Sequence, residues 1–174
     1  LYNYFLFLEE KTKIQFSFDY SKIWSWSINH PVEFWLILID YLGIMYIGSS
    51  IPVIANNKFI YNQEFFKNIK VNYAENILSN LNSCPITFIN ELGFKKSYYK
   101  EDLVSKTSIL ANYFRSIGVK KGDRIAAVAV NSAETLIAFL AVNSIGAIWS
   151  SCSPDFGEAA ILDRFNQIKP KVLL

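Results

Sequence analysis

The sequence contains few of the residues that build metal centres and disulfide frameworks. It has one histidine, His30, and two cysteines, Cys84 and Cys152, which lie far apart and outside any CxxC spacing. Zinc sites and disulfide-stapled folds need several such residues at short spacing. The sequence therefore excludes both classes of protein, and we expect two buried free thiols in a reducing, cytoplasmic compartment.

A surplus of either charge is also absent. The chain has 17 Lys and Arg residues against 15 Asp and Glu residues, which gives a net charge of +2 at pH 7. Proteins that bind nucleic acids carry clustered basic residues, so no nucleic-acid partner is expected. Hydrophobic residues make up 52% of the chain, which is enough to bury the core of one ordinary domain.

No apolar run is long enough to predict a membrane span. Residues 34–54 contain a single charge, at Asp40, but Gly43, Gly48 and Pro52 interrupt them. The strongly apolar part before Gly43 is roughly half of the about 20 residues that a transmembrane helix needs. The segment predicts a buried helix followed by a strand or loop, and no signal peptide is recognisable.

The composition changes near residue 84. Residues 1–83 are rich in aromatic residues and asparagine, whereas residues 84–174 alternate short apolar runs with amphipathic patterns. In the first region, Pro31 opens a predicted helix that Gly43 ends, because proline favours the first helical turn. The apolar positions of residues 72–81 predict a second helix.

The second region begins with a predicted hairpin and a long helix. Residues 86–90 and 94–99 read as two strands joined by a turn. The helix follows from apolar residues that recur at steps of three and four, at Leu103, Thr107, Leu110, Phe114 and Ile117.

An alternation of strands and helices completes the chain. Residues 125–130 are wholly apolar, as in a strand buried on both faces of a parallel sheet. Asn131 with Glu134 resembles a capping box, which predicts the start of an apolar, buried helix. Residues 147–151 predict the next strand and residues 153–157 the following turn.

A helix to about residue 168 follows, Pro170 ends it, and residues 171–174 begin a further strand that no helix covers. The predicted fold class is α/β: an incomplete open, mainly parallel sheet with covering helices, preceded by an aromatic-rich N-terminal segment.

Motifs that carry chemistry are weak in this chain. The strand, turn and helix of residues 147–165 could form a nucleotide site, but neither GxGxxG nor GxxxxGK[ST] is present. Ser153 is a suitable helix cap, with Pro154 at the first helical position and Asp155 in the first turn, so we favour a capping role over a ligand role. The four tryptophans are expected in the core.

Several segments resemble adenylate-forming enzymes. WSWSINHPVEFWLILIDYLGI (residues 24–44) and VNYAENIL (71–78) are similar to acetyl- and acetoacetyl-CoA synthetases. LANYFRSIGVKKGDRIAAVAVNSAETLIAFLAVNSIGAIWSS (110–151) resembles the whole superfamily. CSPDFG and LDRFNQIKPKVL (162–173) are similar to the acetoacetyl-CoA synthetases in particular. The resemblance implies that residues 1–83 are the N-terminal segment of such an enzyme and residues 84–174 the first part of its AMP-binding domain.

The resemblance also implies a reaction. An acid, here acetoacetate, reacts with ATP and Mg²⁺ to give an acyl-adenylate and pyrophosphate, and CoA then displaces AMP. The family's phosphate loop, Tyr-Gly-x-Thr-Glu segment, hinge and catalytic lysine have no counterpart here, so no catalytic residue is assigned. The remainder of the polypeptide is the implied partner, and the segment alone is expected to be inactive and to bind neither ATP nor CoA tightly.

One site carries over from the family. Its members place the turn equivalent to Ser153, Pro154, Asp155 and Phe156 beside the CoA entrance. Pro154 and Asp155 stand where the family has glycines, which argues against a direct backbone contact with CoA.

Two other hypotheses remain open. One is another short-chain acyl-CoA synthetase, for acetate or propionate. The other is a non-catalytic nucleotide-binding or interaction module that uses the sheet as it stands. A module of this kind predicts a soluble chain that unfolds cooperatively, whereas an enzyme segment predicts association through its unpaired last strand.

Overall fold

The computed structural model describes residues 1–55, 59–81 and 85–174. They form two compact units, Leu1–Val71 and Asn72–Leu174. Of the two cysteines, Cys152 is a free, buried thiol, as expected, and Cys84 lies outside the described residues. None of the helices within these residues is long and apolar enough to cross a membrane.

Three helices dominate the first unit: α1 (Tyr2–Thr12), α2 (Tyr20–Asn29) and α3 (Pro31–Tyr41). The Asp19 carboxylate caps α2 by accepting a hydrogen bond from the Ser21 backbone N–H at 2.9 Å. Pro31 stands in the first turn of α3, as predicted. The apolar side chains between the helices form one buried cluster, made of Phe5, Leu8, Phe16, Ile23 and Trp26.

Helix α3 has the predicted position but lacks the predicted burial. Phe34 and Ile37 pack against the cluster of the first unit, yet no residue of α3 is fully buried. Val32, Leu36 and Ile39 recur at steps of four and three, so they share another side of the helix. The helix is apolar on two sides. Within the described residues, the side that carries Val32, Leu36 and Ile39 is only partly buried by other parts of the chain.

Among the described residues of the first unit, four short strands follow the helices. Strands β1 (Ile47–Gly48) and β4 (Ile69–Lys70) pair antiparallel, as do β2 (Ile54–Ala55) and β3 (Glu64–Phe65). A single turn of 3₁₀ helix, Ile60–Asn62, precedes β3.

The second unit opens with the predicted helix, hairpin and long helix. These are α4 (Tyr73–Asn80), β5 (Ile86–Ile89) with β6 (Lys95–Tyr98), and α5 (Lys100–Ser116). Asn72 caps α4 through its side-chain oxygen, which accepts from the Glu75 N–H at 3.1 Å. Its amide nitrogen donates to the Ser144 carbonyl at 3.0 Å, so α4 belongs to the second unit. The family-domain boundary between residues 83 and 84 stays a prediction.

A parallel three-stranded sheet forms the centre of this unit. Strands β7 (Arg124–Val128), β8 (Ile148–Cys152) and β9 (Val172–Leu173) lie in the order β8-β7-β9, connected by α6 (Ala133–Ser144) and α7 (Glu158–Ile168). Their alternating residues face two clusters. Ile125 packs with residues of α5 and α6, whereas Ala126 packs with Phe165 of α7. The sheet is therefore covered on both faces, as predicted.

Strand β9 is fastened to the loop before β7 by one lysine. Lys171 Nζ donates to the Gly118 carbonyl at 2.6 Å and to Asp123 Oδ2 at 2.7 Å. Asp123 also accepts from the Lys120 backbone N–H at 2.8 Å. The Lys171 hydrogen bond, followed by that of the Lys120 amide, holds the pKa of the Asp123 carboxyl below its usual value. This network orders the amino ends of β7 and β9.

Two helix starts differ from the prediction. Ser132, not Asn131, caps α6, because its hydroxyl accepts from the Thr135 N–H at 3.2 Å. Helix α7 begins after Gly157, so Ser153 is not its cap. Asn131 and Ser153 both have cap chemistry, but they lie one and four residues before the residues at which the backbone enters the two helices, and the sequence does not show where that happens.

The prediction of core tryptophans holds for one residue and fails for another. Trp26 is 7% exposed and packs edge-on against Phe16, whereas Trp24 is 55% exposed. Trp24 lies two residues before Trp26 on α2, which turns it by about 200° from the buried side of that helix. Trp35 and Trp149 are partly buried.

Candidate functional site

The carboxyl edge of the parallel sheet is the candidate site. Parallel strands bring their carboxyl ends to one edge, where residues 129–132 follow β7 and residues 153–157 follow β8. Open α/β sheets bind ligands outside this edge, next to the point where successive connections diverge. Here the connection after β7 leads to α6 on one face and that after β8 leads to α7 on the other, so the connections diverge between these two neighbouring strands.

The turn after β8 closes on itself. Ser153 Oγ accepts from the Asp155 N–H at 3.3 Å and donates to Asp155 Oδ2 at 2.8 Å. The Phe156 N–H donates to the Ser153 carbonyl at 3.2 Å, and Pro154 has no N–H to offer. The N–H groups of Asp155 and Phe156 are therefore engaged within the turn and Pro154 has none, so a ligand beside these three residues meets their side chains.

A cation lies beside this turn that the sequence did not reveal. The Arg164 guanidinium of α7 is 4.8 Å from the centre of the Phe156 ring, a cation–π contact, and the ring is 40% exposed. An anionic group at this edge would meet Arg164 as well as the carboxylate of Asp155. Phe156 lies in the turn after β8 and Arg164 lies in the middle of α7, so no local sequence motif predicts this contact.

An uncharged cavity of about 310 Å³ opens between the hairpin, α6 and β8. Phe139 and Trp149 meet edge-on in its wall, with ring centres 6.2 Å apart and planes at 80°. None of its lining side chains is charged; they are Ile86, Thr87, Phe88, Asn131, Ser132, Ala133, Thr135, Leu136, Phe139 and Trp149. Sequence reasoning missed this cavity because its walls come from three separate segments.

The other residues considered from the sequence are not brought to this edge. His30 lies in the first unit, where Nδ1 is 3.1 Å from the Trp26 carbonyl and the ring stacks on that indole. Cys152 is buried and its Sγ lies 4.0 Å from the Ala127 carbonyl. Among the residues that the structure describes, no three His, Cys, Asp or Glu side chains are grouped to hold a metal ion.

Comparison with known proteins identifies the family. The profile of the family described as AMP-binding enzyme matches residues 89–174. Acetoacetyl-CoA synthetase of Xenopus tropicalis is 38% identical over 160 residues, and that of Mus musculus is 36% identical over 159 residues. The chain belongs to the AMP-binding enzyme family. These alignments cover 90% and 89% of the chain but 24% of each relative, so the chain spans about a quarter of their length.

The fold of this family member has a solved counterpart. The structure of acetoacetyl-CoA synthetase from Streptomyces lividans matches with a TM-score of 0.91, over 98% of this chain and 27% of that one, at 24% identity. The match confirms the α/β fold class. The resemblance that the sequence motifs indicated is confirmed by the Xenopus tropicalis and Mus musculus relatives.

Proposed function

We propose that this chain is part of an acid–CoA ligase that converts acetoacetate, ATP and CoA to acetoacetyl-CoA, AMP and pyrophosphate through an acyl-adenylate. The observation that carries the proposal is the similarity to relatives named acetoacetyl-CoA synthetases, which extends through about nine tenths of the chain. It includes both compact units and the candidate edge. The Ser153 hydroxyl and the Asp155 carboxylate pair at this edge within the turn itself, and we assign the residues of the edge to binding and positioning substrate.

CoA is the substrate that we assign to the turn of Ser153, Pro154, Asp155 and Phe156. The turn lies at the carboxyl edge, Phe156 is exposed, and Arg164 supplies a positive charge for phosphate. Because the Asp155 and Phe156 N–H groups are engaged within the turn and Pro154 has none, we assign the contact with CoA to the Phe156 ring and the Arg164 guanidinium.

ATP and Mg²⁺ have no assigned site among the residues of this chain. The sequence lacks a glycine-rich phosphate loop, and the described residues group no three His, Cys, Asp or Glu side chains. We assign the ATP phosphates and Mg²⁺ to the larger part of the polypeptide that the relatives have in addition. Mg²⁺ would supply charge neutralisation of the phosphates there.

That larger part is also the proposed protein partner. The second apolar side of α3 and the outer edge of β9 are both incompletely covered among the described residues. A helix with apolar residues on both sides is ordinarily buried on both. We further propose a cytoplasmic location, which fractionation of the source cells against a secreted and a membrane marker would test.

The complete gene product is the material for the decisive assay. We expect exchange of labelled pyrophosphate into ATP that depends on acetoacetate, and thioester formation only when CoA is added. Acetate and propionate are the comparison acids, since exchange that prefers either of them would assign the enzyme to another short-chain specificity. The 174-residue chain alone should show no exchange; clear acid-dependent exchange by it would contradict the proposal.

The CoA assignment has its own variants. Arg164→Gln and Phe156→Ala should raise the KM for CoA and leave acetoacetate-dependent exchange unchanged, because exchange does not require CoA. Arg115→Gln is the matched control, since Arg115 is an exposed arginine of α5 that is not part of the carboxyl edge. An unchanged KM for CoA in both variants would remove these residues from the site.

A further inference from the structure

A polar cleft of about 400 Å³ lies in the second unit, away from the turn that we assign to CoA. Its walls come from α4 and α5, and it ends at Ser144, the last residue of α6. Helix α6 follows the carboxyl end of β7 and runs back to precede β8, so Ser144 lies at the amino edge of the sheet. The cleft is therefore separate from the carboxyl edge, and its volume is within the range for sites of small molecules.

The cleft contains a buried hydroxyl group without a partner. Thr107 of α5 lines the cleft and is 2% exposed, yet its Oγ1 atom makes no hydrogen bond among the described residues. Buried polar atoms without a hydrogen bond are uncommon in native proteins, because they have lost the bonds that water gave them. A threonine hydroxyl both donates and accepts. The Thr107 hydroxyl is therefore available to a polar group that enters the cleft.

Two opposite charges line the same cleft, the Glu75 carboxylate of α4 and the Arg115 guanidinium of α5. Neither of them forms an ion pair within the described residues. Arg115 Nη1 donates to Asn112 Oδ1 at 2.9 Å, which holds the guanidinium along α5. A guanidinium carries five N–H donors, so others are available to a carboxylate.

These charges select the class of ligand. A ligand with one charge would pair with one of the two groups and bring a like charge close to the other, which is unfavourable. A zwitterion pairs with both. We propose that this cleft binds an α-amino acid whose carboxylate meets Arg115, whose ammonium group meets Glu75 and whose polar side chain meets Thr107.

The spacing along α5 sets the length of the amino acid side chain. The Arg115 guanidinium lies over Asn112, which follows Thr107 by five residues. At about 1.5 Å per residue these two positions are roughly 7–8 Å apart along the helix. A side chain as long as that of glutamine spans this distance, whereas that of glycine or alanine does not.

Isothermal titration calorimetry of the complete ligase, without ATP, CoA or an acid, tests the site with L-glutamine as the probe. Arg115→Gln and Glu75→Gln should each weaken binding at least about tenfold, because each leaves one charge of the ligand unpaired. Glu101→Gln is the matched control, at an exposed glutamate of α5 that does not line the cleft, and should leave the affinity unchanged.

Modified ligands and a third variant separate the contacts. Glutaramate, which lacks the ammonium group, and 4-aminobutanamide, which lacks the carboxylate, should each bind at least about tenfold more weakly than L-glutamine. Thr107→Val keeps the shape of the side chain; it should weaken L-glutamine about threefold to tenfold and leave L-norvaline, whose side chain is apolar, unchanged. Equal binding of L-glutamine and either modified ligand would make the cleft a simple anion or cation site and would overturn the inference.

Thermal unfolding without ligand gives an independent readout of the hydroxyl group. The Tm of Thr107→Val should be no lower than that of the wild-type ligase, because no hydrogen bond is lost. A lower Tm would show that Thr107 already has a partner in the complete protein and would overturn the inference. No binding of L-glutamine to the wild type, or unchanged affinity in Arg115→Gln and Glu75→Gln, would do the same. These measurements need no turnover, so a failure of the proposed function would not alter their outcome.

Discussion

The Phe165 side chain packs α7 against the sheet. Its truncation should remove much of the free energy of unfolding of the second unit. It is the single buried side chain of this fully described helix, at 8% exposure, and it packs on Ala126 and Cys152. Truncating a core phenylalanine to alanine costs about 3–5 kcal/mol when the cavity cannot collapse. The small neighbours on the sheet cannot fill the space, so we expect a loss of about 3–4 kcal/mol.

Two variants calibrate that loss. Phe165→Leu keeps most of the apolar volume and should cost about 1 kcal/mol, or a fall in Tm of about 4–8 °C for a unit of this size. Leu162→Ala lies on the same helix but at a side chain that is 52% exposed, so it should cost less than about 0.5 kcal/mol.

Urea titration of the chain at 25 °C, followed by far-UV circular dichroism, measures these free energies of unfolding. Equal m-values across the set would show that the variants change stability and not the extent of unfolding. A loss below about 1 kcal/mol for Phe165→Ala, or an equal loss for Leu162→Ala, would refute the packing of α7 described here.

Three further predictions concern charge, capping and backbone conformation. Because the Lys171 hydrogen bond lowers the pKa of Asp123 in the folded chain, Asp123→Asn should be less stable than wild type at pH 7; the difference should begin to shrink at about pH 4 and vanish only as the pH falls through the lowered folded pKa, as titrated by urea at several pH values. Ser132→Ala should lower the free energy of unfolding by about 1 kcal/mol and Asn131→Ala by less than about 0.5 kcal/mol, because Ser132 caps α6. A larger loss for Asn131→Ala than for Ser132→Ala would show that Asn131 is the cap, as the sequence predicted. Gly48→Ala should lower the free energy of unfolding by about 1–3 kcal/mol, because φ at Gly48 is +109° and an added Cβ would collide with the Asn68 carbonyl oxygen. Thermal unfolding measures the change, and an unchanged Tm would contradict the pairing of β1 with β4.

Much of the second unit could be predicted because its patterns are local. The apolar period of α5, the unbroken strand after Arg124 and the break at Pro170 each reflect a preference of the backbone in that stretch alone. The exact helix starts could not be predicted at this level, since Asn131 and Ser132 both have cap chemistry. Which hydroxyl or amide meets the third N–H of α6 depends on where the strand before it ends.

The candidate site was predictable only in part. The turn of residues 153–156 was expected from the family resemblance, and it follows β8 as anticipated. The Phe156–Arg164 contact and the aromatic cavity were not expected, because each joins residues from separate elements. Periodicity describes which side of a helix a residue occupies, but not which other element that side meets.

The sequence by itself determined the elements, the parallel sheet and the family, because these follow from periodicity, breaker residues and motifs within single segments. The assignment of no catalytic or metal-ligating residue to this chain stays a prediction from the sequence. The tertiary structure decided the order of the strands, the two faces on which α6 and α7 pack, and the surroundings of Trp149 and Phe156. These depend on packing between segments distant in the chain, and that packing creates the uncharged cavity against α6 and the contact of Arg164 with Phe156.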